Sequence, residues 1–517
     1  MLQHPVSRVA MFALAIFLLG PAAGLHAQET QAPAGLFEGQ SDVGSVTPPG
    51  TGSYNSAAET YTLTAAGANL WDTTDAFHFL WKKISGDAVL TADITFPVKV
   101  GEHNPHRKAI LIFRQDLTPG SPYVDAAQHG VGLMALQYRP TQDATTDDIE
   151  LPVEQAPRVL RLIKRGDAFT MELSMSGEPL HAVGASIHLH LQEPFYVGIG
   201  LSSHDPGRVE RAVFSHVTLE NPEPLPANLT LNSTVQVVNT DSNFARAIAV
   251  YSAPAHFEAP NWSHDGKTLI FDEDGKIMTV SADGGSPQPL DTGEASHCNG
   301  SHGVSPDGQW LAISCSMPGK PESHVYIVPV TGGAPRLVTE HPNSYFHSWS
   351  ADGKTIIFTR PDHGASNIYA ISAQSGPERA LTTGTGISDD PDCSPDGQWI
   401  YFNSDRGGSM QIWRMHSDGS APEPVTHDGF VNWTPHVSPD GKTIVFISYE
   451  PGTTGHPANR PIALRLLSLD TGKIRTLVHL TGGTGTMNVS SWAPDSHHLA
   501  FVSYEELPGD EASAQRN

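Results

Sequence analysis

Three histidines and three aspartates gather at nearly the same step of a repeated phrase. The phrase reads Ser394-Pro395-Asp396-Gly397, with relatives at Ser263-His264-Asp265-Gly266, Ser305-Pro306-Asp307-Gly308, Ser350-Ala351-Asp352-Gly353 and Ser438-Pro439-Asp440-Gly441. A worn copy stands at Ala493-Pro494-Asp495-Ser496. Five residues before the phrase aspartates lie Pro260, His302, His347, Pro391, Pro435 and Ser490. Four before them lie Asn261, Gly303, Ser348, Asp392, His436 and Ser491, with Glu258, His297, Asn299, Asp389, Asp390, Asn432 and Asn488 close by. Imidazoles and carboxylates converging from separate repeats are what a Mn²⁺, Ca²⁺ or Zn²⁺ ion requires. The competing reading is a polar channel lining that holds ordered water.

The elements that must position these residues follow from the spacing. The phrase aspartates are 42, 45, 44, 44 and 55 residues apart. A period of roughly 40–45 residues, each with turn residues and then an alternating apolar run, marks a propeller blade of four short strands. Asp-Gly supplies the positive φ of a tight hairpin turn. The runs after it (Thr268–Phe271, Trp310–Ile313, Thr355–Phe358, Thr443–Phe446) are β-branched or aromatic, as buried strands should be. Six repeats predict six blades. The innermost strand of each blade runs into the phrase, so the residues just before it line the central channel.

Two strand-like runs, Thr234–Val238 and Ala247–Tyr251, precede the first phrase, whereas the last repeat holds only two strands and ends after Phe501–Tyr504. A propeller must hide its edges, so the early strands are expected to complete the last blade. The insert Glu450–Pro461, which carries His456, stretches the last gap and reads as a lid, a partner contact or a decorated turn.

Residues 36–221 show no such period. Tyr61–Leu63, Ala88–Phe96, Ala109–Phe113, Gly132–Tyr138, Val159–Lys164, Ala168–Leu173, Phe195–Leu201 and Ala212–Leu219 alternate between Gly, Pro and Asp breaks, which predicts an antiparallel β-sandwich. Pro222–Pro226 begins a stiff linker placed at 222–229, the propeller is placed at 230–505, and 506–517 is expected to be a disordered tail. Residues 1–27 read as a secretory signal: Arg8, the apolar run Val9–Leu19, the Gly20-Pro21 break and the small residue Ala27. That run is too short to span a bilayer and no later one is long enough. A soluble periplasmic or secreted protein is expected, without a lipid-anchor cysteine.

The formal charge of −25 argues against nucleic acid or an anionic membrane surface as a partner at neutral pH. Protonating all 26 histidines near pH 5 would bring the charge to about +1, so the argument holds only near neutrality. Cys298, Cys315 and Cys393 allow one disulfide with one free thiol, but their placement within the repeats favours three buried, reduced residues.

The repeats resemble those of the TolB-type propellers, most closely in Phe402–Trp413 and Glu258–Ser263, over roughly residues 230–505. The N-terminal segment resembles the concanavalin-like jelly-roll domains of secreted carbohydrate-active proteins. The propeller is also similar to oligogalacturonate lyases, which hold a metal mainly by channel histidines. That resemblance implies His302, His347 and His436 as ligands, with Asp390 or Asp392 supporting and Arg406 or Arg460 as a basic partner. The cation would then neutralise a uronate and acidify its C5 proton. A prolyl-oligopeptidase-type hydrolase would need a further domain with a Gly-x-Ser-x-Gly elbow, which is not expected here.

In the sandwich, Trp71, Trp81, Tyr138 and Arg139 could form an aromatic platform for sugar, or simply be core. His103, His106 and Arg107 read as a solvated turn; His188 and His190 alternate on one strand face. Glu258, Asn299 and Asn488 are further ligand-contact candidates at the channel. The leading expectation is a monomeric exported binding protein, its sandwich touching glycan and its propeller an oligosaccharide or an envelope protein. The alternative is a metal-assisted polysaccharide lyase or hydrolase using Asp390, Asp392 or Arg406. A third is a structural envelope component with a protein partner.

Overall fold

The computed structural model describes residues 35–97, 103–151, 156–175, 180–224, 229–240 and 246–508. The signal segment, residues 225–228 of the linker and the tail from 509 lie outside the described residues. Every regular element among the described residues is a β-strand.

Five antiparallel four-stranded sheets follow one another at 257–289, 302–337, 345–380, 388–424 and 431–482, and form blades 1 to 5. The first strands of neighbouring blades pack on one another around an axis. Each then enters the phrase, and the phrase is a small hydrogen-bonded unit. In blade 1 the Ser263 hydroxyl donates to Asp265 Oδ1 (2.7 Å), which also accepts the Lys267 N–H (3.1 Å), while Ser263 Oγ accepts the Thr268 N–H (3.0 Å). The same three bonds recur from Ser305, Ser350, Ser394 and Ser438. Gly266, Gly308, Gly353, Gly397 and Gly441 all sit at φ between 68° and 72°, which is why glycine recurs there.

The worn sixth copy keeps the turn with Ser496 at φ 65°. Its strand His498–Pro508 pairs along its length with Leu229–Asn239, which pairs in turn with Arg246–Ala253. On its other side, Trp492 bridges to Leu499. The early strands therefore join the last strand of the chain in one sheet, and are longer than the runs read from the sequence. Leu229, expected in the linker, pairs with Pro508, so residues 506–508 belong to a strand and not to a tail.

Arg246–Ala253 also pairs in parallel with Asp147–Leu151, so the sheet runs on without a break into the N-terminal half, ten strands in all. A seven-stranded sheet faces the N-terminal strands of that sheet. Their shared core includes Leu63, Leu90, Leu111, Phe113, Leu162 and Phe214, and the same apolar cluster continues to Trp433, Ile447 and Leu464 in blade 5. Lys108–Arg114, Tyr123–His129 and Met134–Arg139 are buried on both faces. Loop residues and the second cluster around Phe77, Phe79, Ile110 and Tyr123 cover their outer side.

The expectation of three reduced cysteines is corrected. Cys298 and Cys315 form a disulfide between the lead-in to blade 2 and its second strand, and only Cys393 is free. Burial pushes the Cys393 thiol up to about 12, which makes it unreactive. Tying residues 17 apart restricts the unfolded chain by about 3 kcal/mol. The Cys298→Ala/Cys315→Ala variant should lose about that much in urea unfolding. A midpoint equal to that of the oxidised parent would contradict it.

Candidate functional site

The residues preceding the phrases meet at the axis. Asn261, Gly303, His347, Ser348, Asp392 and Ser490, with Trp262, Val304, Trp349, Val437 and Trp492 beside them, line a cavity of about 440 Å³ at the phrase end of the channel. Most of its polar ring stitches blades together. Asn261 Oδ1 accepts the Val304 N–H (3.2 Å), Ser348 Oγ accepts the Cys393 N–H (3.1 Å), and Asp392 Oδ2 accepts the Val437 N–H (2.9 Å). Where the next position is tryptophan, the indole crosses the same seam. Trp262 donates to Ser491 O (3.0 Å), Trp349 to Gly303 O (2.9 Å) and Trp492 to His436 O (3.0 Å). Burial of these N–H groups would be costly without such partners.

This geometry corrects the role expected of Asp392. Its second oxygen accepts the Ser348 hydroxyl (3.0 Å), so both oxygens hold blades together. Arg406 is also displaced. It lies over Phe402 and Trp413, bonds Ser404 and Ser388 (3.0 and 2.8 Å), and lines a separate cavity of about 430 Å³. Arg460 is exposed on the rim of an inter-sheet cleft of about 610 Å³ that His188 lines but His302, His347 and His436 do not.

Toward the other end of the channel the first strands bulge. Register shifts occur at Glu258/Asn261, Asp389/Asp392 and Trp433/His436, and Ala259, Asp390 and Thr434 take positive φ near 50°. Such values are unusual for non-glycine residues and most so for a β-branched one. Bulges re-aim side chains. Here they bring His347 to 3.6 Å from Asp389 and 3.5 Å from Asp390. Burial holds His347 below the ordinary imidazole range and pushes the Asp390 carboxyl well above the carboxylate range, with the Asp389 charge adding to the latter.

The three histidines do not form one ligand set, which corrects that expectation. His302 is fully buried; its Nε2 lies 3.4 Å from Ile270 O, and burial lowers its pKa to about 4. His436 donates through Nε2 to Met487 O (3.1 Å), with Nδ1 3.7 Å from Asp392. Among the described residues, the group whose ligand atoms do meet is His347, Asp389 and Asp390, all within 4.8 Å of one another.

Of the other channel candidates, Glu258 and Asn488 come together beside Gly300. Glu258 Oε2 accepts the Gly300 N–H (2.8 Å), and Asn488 Oδ1 accepts the Gly485 N–H (2.9 Å). Asn299 faces Ser323 (3.4 Å) instead. Opposite Glu258 in the ladder is Asp272, whose carboxyl burial raises to about 8. A carboxyl that binds its proton more tightly folded than unfolded contributes stability that is complete below about pH 4 and is lost as pH rises through about 8. Asp272→Asn should therefore melt above the parent at pH 9 and not at pH 4. The same offset at both pH values would contradict this.

Sequence reasoning did not single out the role of His456. The insert folds back, and its imidazole stacks on Trp433 with ring centroids 4.8 Å apart and planes 7° from parallel. Tyr449 donates to Pro457 O (2.8 Å), Thr484 donates to His456 O, and burial takes the His456 pKa down to about 4. Only the insert's length pointed here.

The aromatic platform expected in the N-terminal half is not formed. Tyr138 is buried in the core, Arg139 is fully buried against Asp75, and Trp71 is half-buried beneath Lys108. Trp81 packs edge-on against Tyr196. His103 and Arg107 are no solvated turn, since both pair with buried Glu210. His188 joins the two halves, with Nε2 2.6 Å from Thr481 Oγ1, whereas His190 is exposed beside Asp167.

Blades set round an axis, with inner strands feeding a lined channel, make this a β-propeller protein. The family model for the TolB β-propeller domain matches residues 346–506. An uncharacterized protein of Agrobacterium fabrum is 43% identical over 276 residues, 53% of this chain and 93% of that protein. The chain belongs to this TolB-type propeller family. A solved structure assigned provisionally to TolB, from Agrobacterium tumefaciens, is 42% identical with a TM-score of 0.51, covering 54% of this chain and 99% of its own. TolB of Acinetobacter baumannii aligns at 16% identity and a TM-score of 0.40, covering 62% of this chain and 79% of its own. Among the described residues no helix is long and apolar enough to cross a membrane.

Proposed function

We propose that the protein is an exported, periplasmic binding protein that acts as a monomer and holds a segment of an envelope protein at the phrase end of its channel. In this reading the propeller has six blades, the last made of 489–508 with 229–239 and 246–253. A concanavalin-like jelly-roll sandwich at about 36–221 is carried beside it as a second domain.

The observation that carries the reading is the cavity of about 440 Å³ at that end. Its walls are indole, Phe346, valine and proline, and much of its polar ring is engaged between blades. A concave apolar surface with a few oriented polar groups recognises a ligand by shape, and needs no bond-making group. The family likeness to TolB supports a protein as occupant over a sugar. With the Trp71, Tyr138 and Arg139 platform gone, the glycan contact loses its residues. With Asp392 engaged and Arg406 displaced, the lyase reading loses two of its three catalytic candidates.

Ala351 and Ser490 border the cavity without being fully buried, so bulk can be added there at little cost to folding. The immobilised chain should capture one envelope protein from a solubilised envelope extract, and the purified pair should then be titrated. Ala351→Trp and Ser490→Trp should weaken that pair by roughly tenfold or more at unchanged melting temperature. Unaltered affinity in both variants would refute the assignment of the mouth.

A further inference from the structure

We infer that His347, Asp389 and Asp390 form a divalent metal site in the propeller channel, of a composition different from a three-histidine set and independent of the partner reading. One ligand atom from each of the three lies within 4.8 Å of the other two. His347 Nδ1 is buried, has no hydrogen-bond partner, and lies 3.5 Å from Asp390 Oδ1. That separation is too long for a useful hydrogen bond. It suits two ligands of one ion, since bonds of about 2.1 Å at a tetrahedral angle put ligand atoms roughly 3.4 Å apart.

The surroundings favour the same assignment. His347 Nε2 lies 3.0 Å from Thr359 Oγ1, the kind of outer partner that fixes ring orientation, with Asp389 Oδ1 3.6 Å from that same nitrogen and Asp390 on the Nδ1 side. Two successive carboxylates, one of them buried, crowd one spot, and their ion-pair partner among the described residues is His347 alone. An unbalanced pair of this kind is costly unless a cation or proton compensates it. The bulge and the positive φ of Asp390 turn the chain locally where these groups meet.

One imidazole and two carboxylates fit Zn²⁺ or Mn²⁺ better than Ca²⁺, which takes six to eight oxygens. The mature full-length chain, incubated with Zn²⁺ or Mn²⁺ and dialysed, should retain about one ion and melt several degrees lower after chelation. Asp390→Asn and His347→Gln should cut metal affinity by about tenfold to a hundredfold or more. His302→Gln, outside the site, should keep it. Asp389 is only partly buried, so Asp389→Asn provides a folded test if the deeper variants fail to fold. Less than about a tenth of an equivalent of either ion in the parent, or parental affinity in Asp389→Asn, would overturn the assignment.

Discussion

Asp75→Ala is expected to lower the unfolding free energy of the N-terminal sheets by about 3–5 kcal/mol. Asp75 is fully buried and accepts from Arg139 NH1 and NH2, both at 2.8 Å, and from Arg114 NH2 at 3.3 Å. Both guanidiniums are themselves fully buried. They also donate to loop carbonyls, Arg139 to Ala144 and Asp72, Arg114 to Asp116 and Thr118. The three groups thus pin the loops that cover the outer face of the strands Lys108–Arg114 and Met134–Arg139. Removing the carboxylate leaves two buried cations facing each other without the anion that bonds both, and the loss exceeds the net worth of the original pairs. Urea unfolding followed by circular dichroism measures it. A change below about 1 kcal/mol, the range of an exposed pair, would contradict the account.

Val237→Pro is expected to cost about 3 kcal/mol or more, because Leu229–Asn239 is an interior strand. Val237 pairs with Ile248 on one side and Ala500 on the other. Proline there removes a ladder donor and cannot be accommodated as at an edge. Leu229–Asn239 also joins the end of the chain to Arg246–Ala253, which continues into the N-terminal sheet through Asp147–Leu151. Deleting 229–253 should therefore disrupt both halves, whereas a deletion of 451–455 in the insert should shift melting little. Thermal melting of the three variants checks this. A deleted chain that melts like the parent would show that the strands close nothing.

The repeat made the propeller legible. Each phrase is held by bonds among its own residues, so the fold leaves its mark in contiguous sequence. The joining of the early strands to the last one was legible through edge logic. Tyr123–His129 was not, because Asp125, Gln128 and His129 are buried there and break the alternation that marks a strand. The same double-sided burial made Tyr138 and Arg139 look like a surface platform. At the channel, counting back from the phrase reached Asn261, Gly303, His347, Ser348, Asp392 and Ser490, which line its cavity, but also His302 and His436, which do not. It could not find which of them meet, since bulges at Asp389/Asp392 and Trp433/His436 shift the register. The shift at Asp389/Asp392 falls where the neighbouring carboxylates of Asp389 and Asp390 approach His347.

The most direct test of the central claim is site-specific photo-crosslinking in living cells. A photoreactive residue would replace Ala351 at the phrase-end mouth or, as a control, exposed Val209 on the N-terminal half. One discrete protein adduct is expected from position 351, lost when Ser490→Trp narrows the mouth, and none from position 209. No adduct at 351, or the same adduct at both positions, would contradict a partner held at the propeller mouth.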